Sequence, residues 1–420
     1  MEFGFQNGGG GGGSASSGIF GISDNTGTYT YYTTLTLAMA AANVGDVIEM
    51  FANVLEVGNV TVTLKTGVNI NGNGYTYTLK NNTAISALID NGTAINVVIS
   101  NITISRIGTT GTGITITGTS TLKCSSTNLL ATSGTIALEI NNATAEIYSI
   151  NAQGYNPVVN IINGNLYNSE MRSLNGGGLS ISAGSASNCT AYGYGSDAIY
   201  MLGGRLVDCI GIGQLNSGIS AYGGTMQGCT GYGFGGSGIY INSVAAIAIS
   251  CIGYSTAGAG IATNSNYILN CNGYSSASAG IGLINGIING SIGYSTAYSG
   301  IYAINSGASI SEIRSCQAIS TTQIALFMDN ATSGCKIYNT EVNCQWNNIV
   351  GYGIRVSGAN TEIVNCLVEV TNATANAIYA SIALNAKYAN NAYKGSTTPI
   401  SANITQSIVN TQDNKGNILI

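Results

Sequence analysis

Apolar residues in this chain stand in short runs cut every few positions by Gly, Asn or Ser, and the runs return at a fixed interval. Cys189, Cys209, Cys229, Cys251 and Cys271 are separated by 20, 20, 22 and 20 residues, and Ser291 follows after another 20. Cys316, Cys344 and Cys366 continue at 25, 28 and 22, a spacing that reads as loop insertion. Ten residues after the marker stand Ile199, Ile219, Ile239, Ile261, Ile281 and Ile301, with Ile354 further on. Three residues before it come Leu206, Met226, Ile268, Ile288, Ile313 and Ile363. Two residues after it the side chain is small: Ala191, Gly211, Gly231, Gly253, Gly273, Gly293 and Ala318.

A helical-pair repeat would need about 34 residues, with apolar spacings of three and four. Short apolar runs bounded by Gly, Asn and Ser predict strands and turns instead. Leucine-rich repeats share the length, but no L-x-x-L-x-L pattern is present. The reading is an all-β solenoid: a single-stranded parallel β-helix of 20–22 residues per coil. Each coil would hydrogen-bond to the next at roughly 4.8 Å. Roughly 15 coils at that rise make a rod on the order of 70 Å long. The marker and its +2 residue would face inward, and Asn188, Gly228, Asn270, Gly290, Asn343 and Asn365, just before the marker, would turn a corner.

Strand alternation then puts the +3 position outside. That position holds Tyr192, Tyr232, Tyr254, Tyr274 and Tyr294, with Ile212 and Ile319 in the same register. Either the rings lie flat over a neighbouring turn, or they form a stacking surface for a partner subunit or for sugar rings.

Composition sharpens this picture in three places. Charged residues are 7% of the chain, against about 25% in ordinary soluble domains, and none occurs between Asp208 and Glu312. So neutral an exterior favours association, and a homotrimer is expected. The net charge of −5 and the lack of a basic patch argue against nucleic acid. No apolar stretch reaches the length of about eighteen that a membrane span requires. The start, "MEFGFQNGGGGGGSASSG", lacks the basic and apolar regions of a signal peptide, so synthesis in the cytoplasm without export is expected. The ten cysteines fall mostly at one repeat position, and Ser291 takes that place with no partner rearranged. They read as buried free thiols that fill space rather than as disulfides. With no C-x-x-C pair and no histidine, neither a metal site nor a cofactor is expected.

Residues 1–24 read as an N-terminal anchor and Gly-rich tether, residues 25–110 as a cap and first coils, 111–385 as the solenoid body, and 386–420 as a closing or oligomerisation segment. In "TLTLAMAAANVGDVIEMFANV", Leu37–Ala42 is a short capping-helix candidate and Gly45-Asp46 turns into a strand, Val47–Phe51. "VTVTLKTGVNINGNGYTYTL" follows with strand alternation and Asn-Gly turns. A small-residue helix, a Gly-Asp turn and a G-x-G strand in this order resemble the N-terminal part of the pectate-lyase-like right-handed parallel β-helices. The Gly-rich tether, the absent signal peptide and the Asn/Thr/Gly-rich coils are more similar to phage tail fibres and tail spikes of that superfamily than to secreted lyases. The resemblance covers residues 30–385 as pattern, and it, not the spacing, carries the right-handedness. It implies a virion protein that joins other virion proteins through its N-terminus and attaches to host-surface carbohydrate.

Chemistry is sparse. Glycoside hydrolysis needs paired carboxylates about 5 to 9.5 Å apart. Asp197, Arg205 and Asp208 cluster within twelve residues, with Tyr200 between them. Yet Asp208 occupies a turn position held elsewhere by Asn, and Asp197 matches Ser217 and Ser237 of later coils. Glu139 and Glu146 sit seven apart, and Glu170 and Arg172 share a strand face. The resemblance to pectate lyases implies acidic calcium ligands and an arginine base, and no Asp–Arg cluster here reproduces them. Without histidine, no Ser-His or Cys-His nucleophile system exists. Two readings follow: an attachment fibre whose tyrosine ladder contacts carbohydrate or a sister subunit, and a polysaccharide-cleaving hydrolase or lyase on the same scaffold. A bacterial surface adhesin is a third, and it would need an export signal.

Overall fold

The computed structural model describes residues 18–395 except 25, 84, 91–95, 133–134, 156, 265–266, 306–310, 323, 331–334, 346–350, 358–360, 373–375, 381–383 and 390, together with residues 404–406 and 418–419. The expected anchor and most of the closing segment therefore lie outside the described residues.

Successive coils pair in parallel, each strand with the one a coil later, so the chain is an all-β parallel solenoid of about 14 turns. Three faces recur. The first runs through Thr190–Gly193, Ile210–Gly213, Thr230–Gly233, Ile252–Ser255, Asn272–Ser275 and Ile292–Ser295. The second runs through Ile199–Met201, Ile219–Ala221, Ile239–Ile241 and Ile261–Asn264. The third includes Arg205–Val207, Gly224–Gln227, Ala246–Ile249 and Tyr267–Leu269.

Sequence period becomes core in a direct way. Ile199, Ile219, Ile239, Ile261, Ile281 and Ile301 stack in register, as do Leu206, Met226, Ala248, Ile268, Ile288 and Ile313, all buried. The +2 residue is small because the next face starts beside it. A Cβ on Gly253 would stand 2.0 Å from the Gly260 carbonyl oxygen. The corner before the marker is turned by one left-handed residue per coil, among them Asn188, Asp208, Gly228, Ser250, Asn270, Gly290, Ser315, Asn339 and Asn365, with φ between 50° and 66°. Gly, Asn and Asp reach that region at low cost.

Register corrects two positions. Asn343 does not turn a corner: it lies within the strand Glu341–Cys344, and Cys344 stacks on Ser320, four residues beyond the marker position. The marker of that coil is Thr340, preceded by left-handed Asn339. From Ser169 onward the ladder reads Ser169, Cys189, Cys209, Cys229, Cys251, Cys271, Ser291, Cys316, Thr340, Cys366 and Asn391, all buried. All ten cysteines are free and buried.

These thiols do more than fill space. Each ladder side chain from Ser169 to Cys366 donates back to a carbonyl of the corner it follows, as Cys271 Sγ to Leu269 O at 3.2 Å, Ser291 Oγ to Asn289 O at 3.1 Å and Thr340 Oγ1 to Tyr338 O at 2.9 Å, while Asn391 Nδ2 donates to Ile363 O at 3.0 Å. Several also accept from the coil before: Cys251 N–H donates to Cys271 Sγ at 3.3 Å and Cys271 N–H donates to Ser291 Oγ at 3.1 Å. Cys, Ser, Thr and Asn share one property, a short side chain that can both donate and accept.

At the N-terminal end, Phe20–Ser23 pairs antiparallel with Tyr29–Tyr32 and with Val47–Met50, which starts the parallel ladder. Helix α1, Leu35–Ala41, begins two residues earlier than its apolar pattern suggests, because Thr34 caps it by accepting from Leu37 N–H at 3.2 Å. It buries Leu35, Ala38 and Met39 and packs on Phe20–Ser23, Tyr29–Tyr32 and Val62–Thr63. Among the described residues, no helix is long and apolar enough to cross a membrane.

Candidate functional site: the tyrosine groove

The +3 side chains project outward from the first face. Tyr232, Tyr254, Tyr274 and Tyr294 pair in register from coil to coil, and the first three form one continuous stack. Ring centroids of Tyr232 and Tyr254 lie 5.1 Å apart with planes at 9°, and those of Tyr254 and Tyr274 lie 5.0 Å apart at 12°. Tyr294 turns away, 6.3 Å from Tyr274 at 47°. Tyr192 does not join them: Ile212 intervenes in the ladder, and Arg172 sits 5.6 Å over the Tyr192 ring instead.

This arrangement differs from the first of the two sequence expectations. The rings do not lie flat over turns, and in the middle of the stack their faces are covered by one another. The coil spacing of about 4.8 Å matches offset ring stacking, so the geometry of the solenoid makes the tyrosines each other's partners. What they present sideways is ring edges and hydroxyls. Burial between its neighbours, with their negative charge if ionised, holds the Tyr254 hydroxyl above its ordinary pKa, so it stays a proton donor at neutral pH.

Beside the stack runs a groove of about 360 Å³. Its far wall is Phe234, Thr256, Ser276 and Thr296, and Gly233, Ser255 and Ser275 lie at its floor. Floor and wall hydroxyls are spent on the backbone: Ser255 Oγ donates to Gly236 O at 2.6 Å, Ser275 Oγ to Gly258 O at 2.7 Å, and Thr256 Oγ1 to Phe234 O at 2.9 Å. The groove is accordingly apolar in character and contains no charged side chain. Its far wall escaped the sequence reading although it too recurs each coil, five residues after the marker, because Phe, Thr and Ser share no obvious property there.

The three weak catalytic candidates are held apart. Asp197 lies in the turn that leads into the second face and accepts from Ser217 N–H at 3.0 Å. Burial raises its pKa, against hydrogen bonds from Ser220 and Ser217 that lower it. Asp208 is the left-handed corner residue at the other end of the first face, its carboxylate lying over Gly228 as the Asn270 amide lies over Gly290. A four-residue strand separates these corners, about 13 Å at 3.3 Å per residue, which exceeds the separation of a hydrolytic pair. Arg205 bonds Gln227 Oε1 at 3.0 Å on the exposed third face. Glu139 and Glu146 fall in one strand, Ile136–Gly154, where Glu146 accepts from the Tyr148 hydroxyl at 3.0 Å. Glu170 and Arg172 do share an outward strand face. Among the described residues, no three His, Cys, Asp or Glu side chains are grouped to hold a metal ion.

No family model and no curated protein matches the chain. Among solved structures it is similar to the catalytic domain of an alpha-1,3-glucanase in complex with tetrasaccharides, at 12% identity and TM-score 0.30, over 83% of this chain and 64% of that domain. It is also similar to a pectate lyase, at 10% identity and TM-score 0.27, over 89% of this chain and 73% of the lyase. A third is the receptor-binding domain of the Siphovirus 9NA tailspike, at 11% identity and TM-score 0.19, over 91% and 76% of the two chains. The chain thus spans less than two thirds of the glucanase domain, and the solenoid assignment rests on the strand register itself.

Proposed function

We propose that this chain is an attachment rod, a virion tail fibre or tail spike that holds a surface glycan along its tyrosine groove. The observation that carries the reading is the repeat of the groove. Tyr232, Tyr254 and Tyr274 are spaced 5.1 and 5.0 Å apart, close to the advance of one pyranose unit in an extended chain. A linear glycan lying parallel to the solenoid axis would meet the same edge and hydroxyl at each sugar, so weak contacts add along the chain. The absence of charge from Asp208 to Glu312 matches an uncharged polymer. The rods assemble as homotrimers, which multiplies the number of groove contacts per particle. The test is binding of the full chain to arrayed neutral and acidic cell-surface polysaccharides. Retention of a neutral polymer that weakens at least tenfold when Tyr254 and Tyr274 are both changed to Ala is expected. Indifference to both changes would overturn the reading.

The second reading is a depolymerase, favoured by half-buried Asp197, whose carboxyl is held above the ordinary carboxylate range by burial. Release of reducing ends or unsaturated sugars by the intact protein, abolished in Asp197→Asn, would establish it.

A further inference from the structure

The coil that ends the tyrosine groove carries Tyr294 and Thr296 on the groove and, two residues on, Tyr298 at the corner to the second face. Around that corner the outward side chains change character. Tyr302 stacks in register with Phe327 and then Arg355 on the strands Ile301–Asn305, Ile324–Asn330 and Tyr352–Val356. The Tyr298 and Tyr302 rings meet edge to face at 5.5 Å, and Tyr302 and Phe327 lie 5.2 Å apart. The Arg355 guanidinium sits 4.9 Å over the Phe327 ring. Asp329, two residues along the same strand face, accepts from Ser357 Oγ at 2.7 Å and from the Tyr302 hydroxyl at 3.4 Å.

Arg355 is anomalous in this company. Its Nε is shut off from solvent and has no hydrogen-bond partner. The ion pairs among the described residues, Arg314–Glu312 and Lys394–Glu369, do not include it. Buried donors are nearly always satisfied, and a guanidinium, with five donors in a planar fork and no way to lose its proton, is costly to leave without an acceptor. The Nε of buried Arg106 is equally shut off and unpartnered, but its terminal nitrogens donate to the carbonyls of Ile107, Thr83, Thr110 and Asn81. At half-buried Arg355 the terminal nitrogens have no such carbonyls among the described residues.

We propose that Arg355, Phe327, Tyr298, Tyr302 and Asp329 form a second binding site, for a singly charged oxyanion borne on a sugar. Stacking on Phe327 fixes the guanidinium plane, so that a planar or tetrahedral oxyanion is met by two parallel N–H donors. Asp329 keeps acceptor capacity beyond its two present donors and suits a neighbouring sugar hydroxyl. It also disfavours a doubly charged ligand by repulsion. Burial, with the nearby Asp329 carboxylate adding to it, pushes the Tyr302 hydroxyl up to about 12, so it remains a donor. The tyrosine rings supply the apolar wall against which a pyranose packs. A carboxylate and a phosphodiester share this chemistry, and the test separates them.

The full chain is titrated by calorimetry and saturation-transfer NMR with methyl glucuronoside, glycerophosphoglycerol and, as neutral control, methyl glucoside. One anionic probe should bind and the glucoside should not. Arg355→Gln should weaken that binding at least tenfold, Arg355→Lys should recover part of it, and Tyr254→Ala should leave it unchanged. Whichever anionic probe binds names the source. Should Arg355→Gln fail to fold, Phe327→Leu, which removes the ring beneath the guanidinium, serves in its place. Binding of neither anion, equal binding of the glucoside, or affinity indifferent to Arg355 and Phe327 overturns the proposal.

Discussion

Cys271 offers a sharp test of what the marker ladder selects. It is fully buried, its thiol donates to Leu269 O at 3.2 Å, and its sulfur accepts from Cys251 N–H at 3.3 Å. Leu269 O has a second donor, Ser250 N–H at 2.9 Å, so losing the thiol donor is tolerable there. The sulfur acceptor is different, because its loss leaves a buried N–H unpaired, at about 1–3 kcal/mol. Cys271→Ala removes acceptor and packing together, so a loss of about 2–4 kcal/mol is expected once a term of roughly 1 kcal/mol for the vacated volume is added. Cys271→Val restores the volume but not the acceptor and should still lose about 1–3 kcal/mol. Cys271→Ser keeps both hydrogen bonds, as Ser291 does one coil later, and should stay within about 1 kcal/mol of the parent. Urea unfolding followed by far-UV circular dichroism ranks the three. Stability of the Val variant equal to or above that of the Ser variant would refute the hydrogen-bond argument and return the ladder to simple space filling.

Three other outcomes follow from single residues. Burial pushes the Asp90 carboxyl up, but bonds from Thr117 N–H, Thr117 Oγ1, Gly118 N–H and Ser120 Oγ outweigh it, leaving the pKa below that of an ordinary aspartate. Its stabilisation is therefore present above about pH 4 and fades as pH falls through the folded-state value. Thermal melts should show an acid loss that is flattened in Asp90→Asn. Asp197 has the opposite sign: its pKa is raised by burial, so its contribution is present at low pH and lost as pH rises through the folded value. Asp197→Ser, copying Ser217, should raise the melting temperature at pH 7 but not at pH 3. Gly228 has φ +66°, and a Cβ there would stand 2.1 Å from Asp208 Oδ1. Gly228→Ala should cost at least 1–2 kcal/mol for the left-handed backbone, with Asp208→Gly in the same chain recovering only the steric excess in a denaturation series.

The twenty-residue echo was enough to read the solenoid, the inward Ile and Leu ladders, the free buried thiols and the outward tyrosines. A parallel coil maps sequence period straight onto spatial neighbours at one inter-strand step. Where the period stretches, the mapping loses register. Cys344 resembled a marker, yet it packs on Ser320, because the ladder selects a short donor-acceptor and Thr340 serves as well as cysteine.

The short helix α1, too, was visible in composition, while its start was set by Thr34, a side chain that apolar spacing does not register. The tyrosine register was legible, but not that the rings would cover one another's faces, which depends on coil rise and side-chain tilt. Asp197 and Asp208 looked close in sequence and were put at opposite ends of a face by the coil. Arg355 and Phe327, 28 residues apart, were stacked one above the other by coils of unequal length. Sequence by itself determined the period, the alternation of inward and outward residues and the absence of charge, because each of these is a local property repeated along the chain. Which side chains share a surface, and which polar atoms go unpaired, only the tertiary structure decided, because insertions set the register and register sets the neighbours.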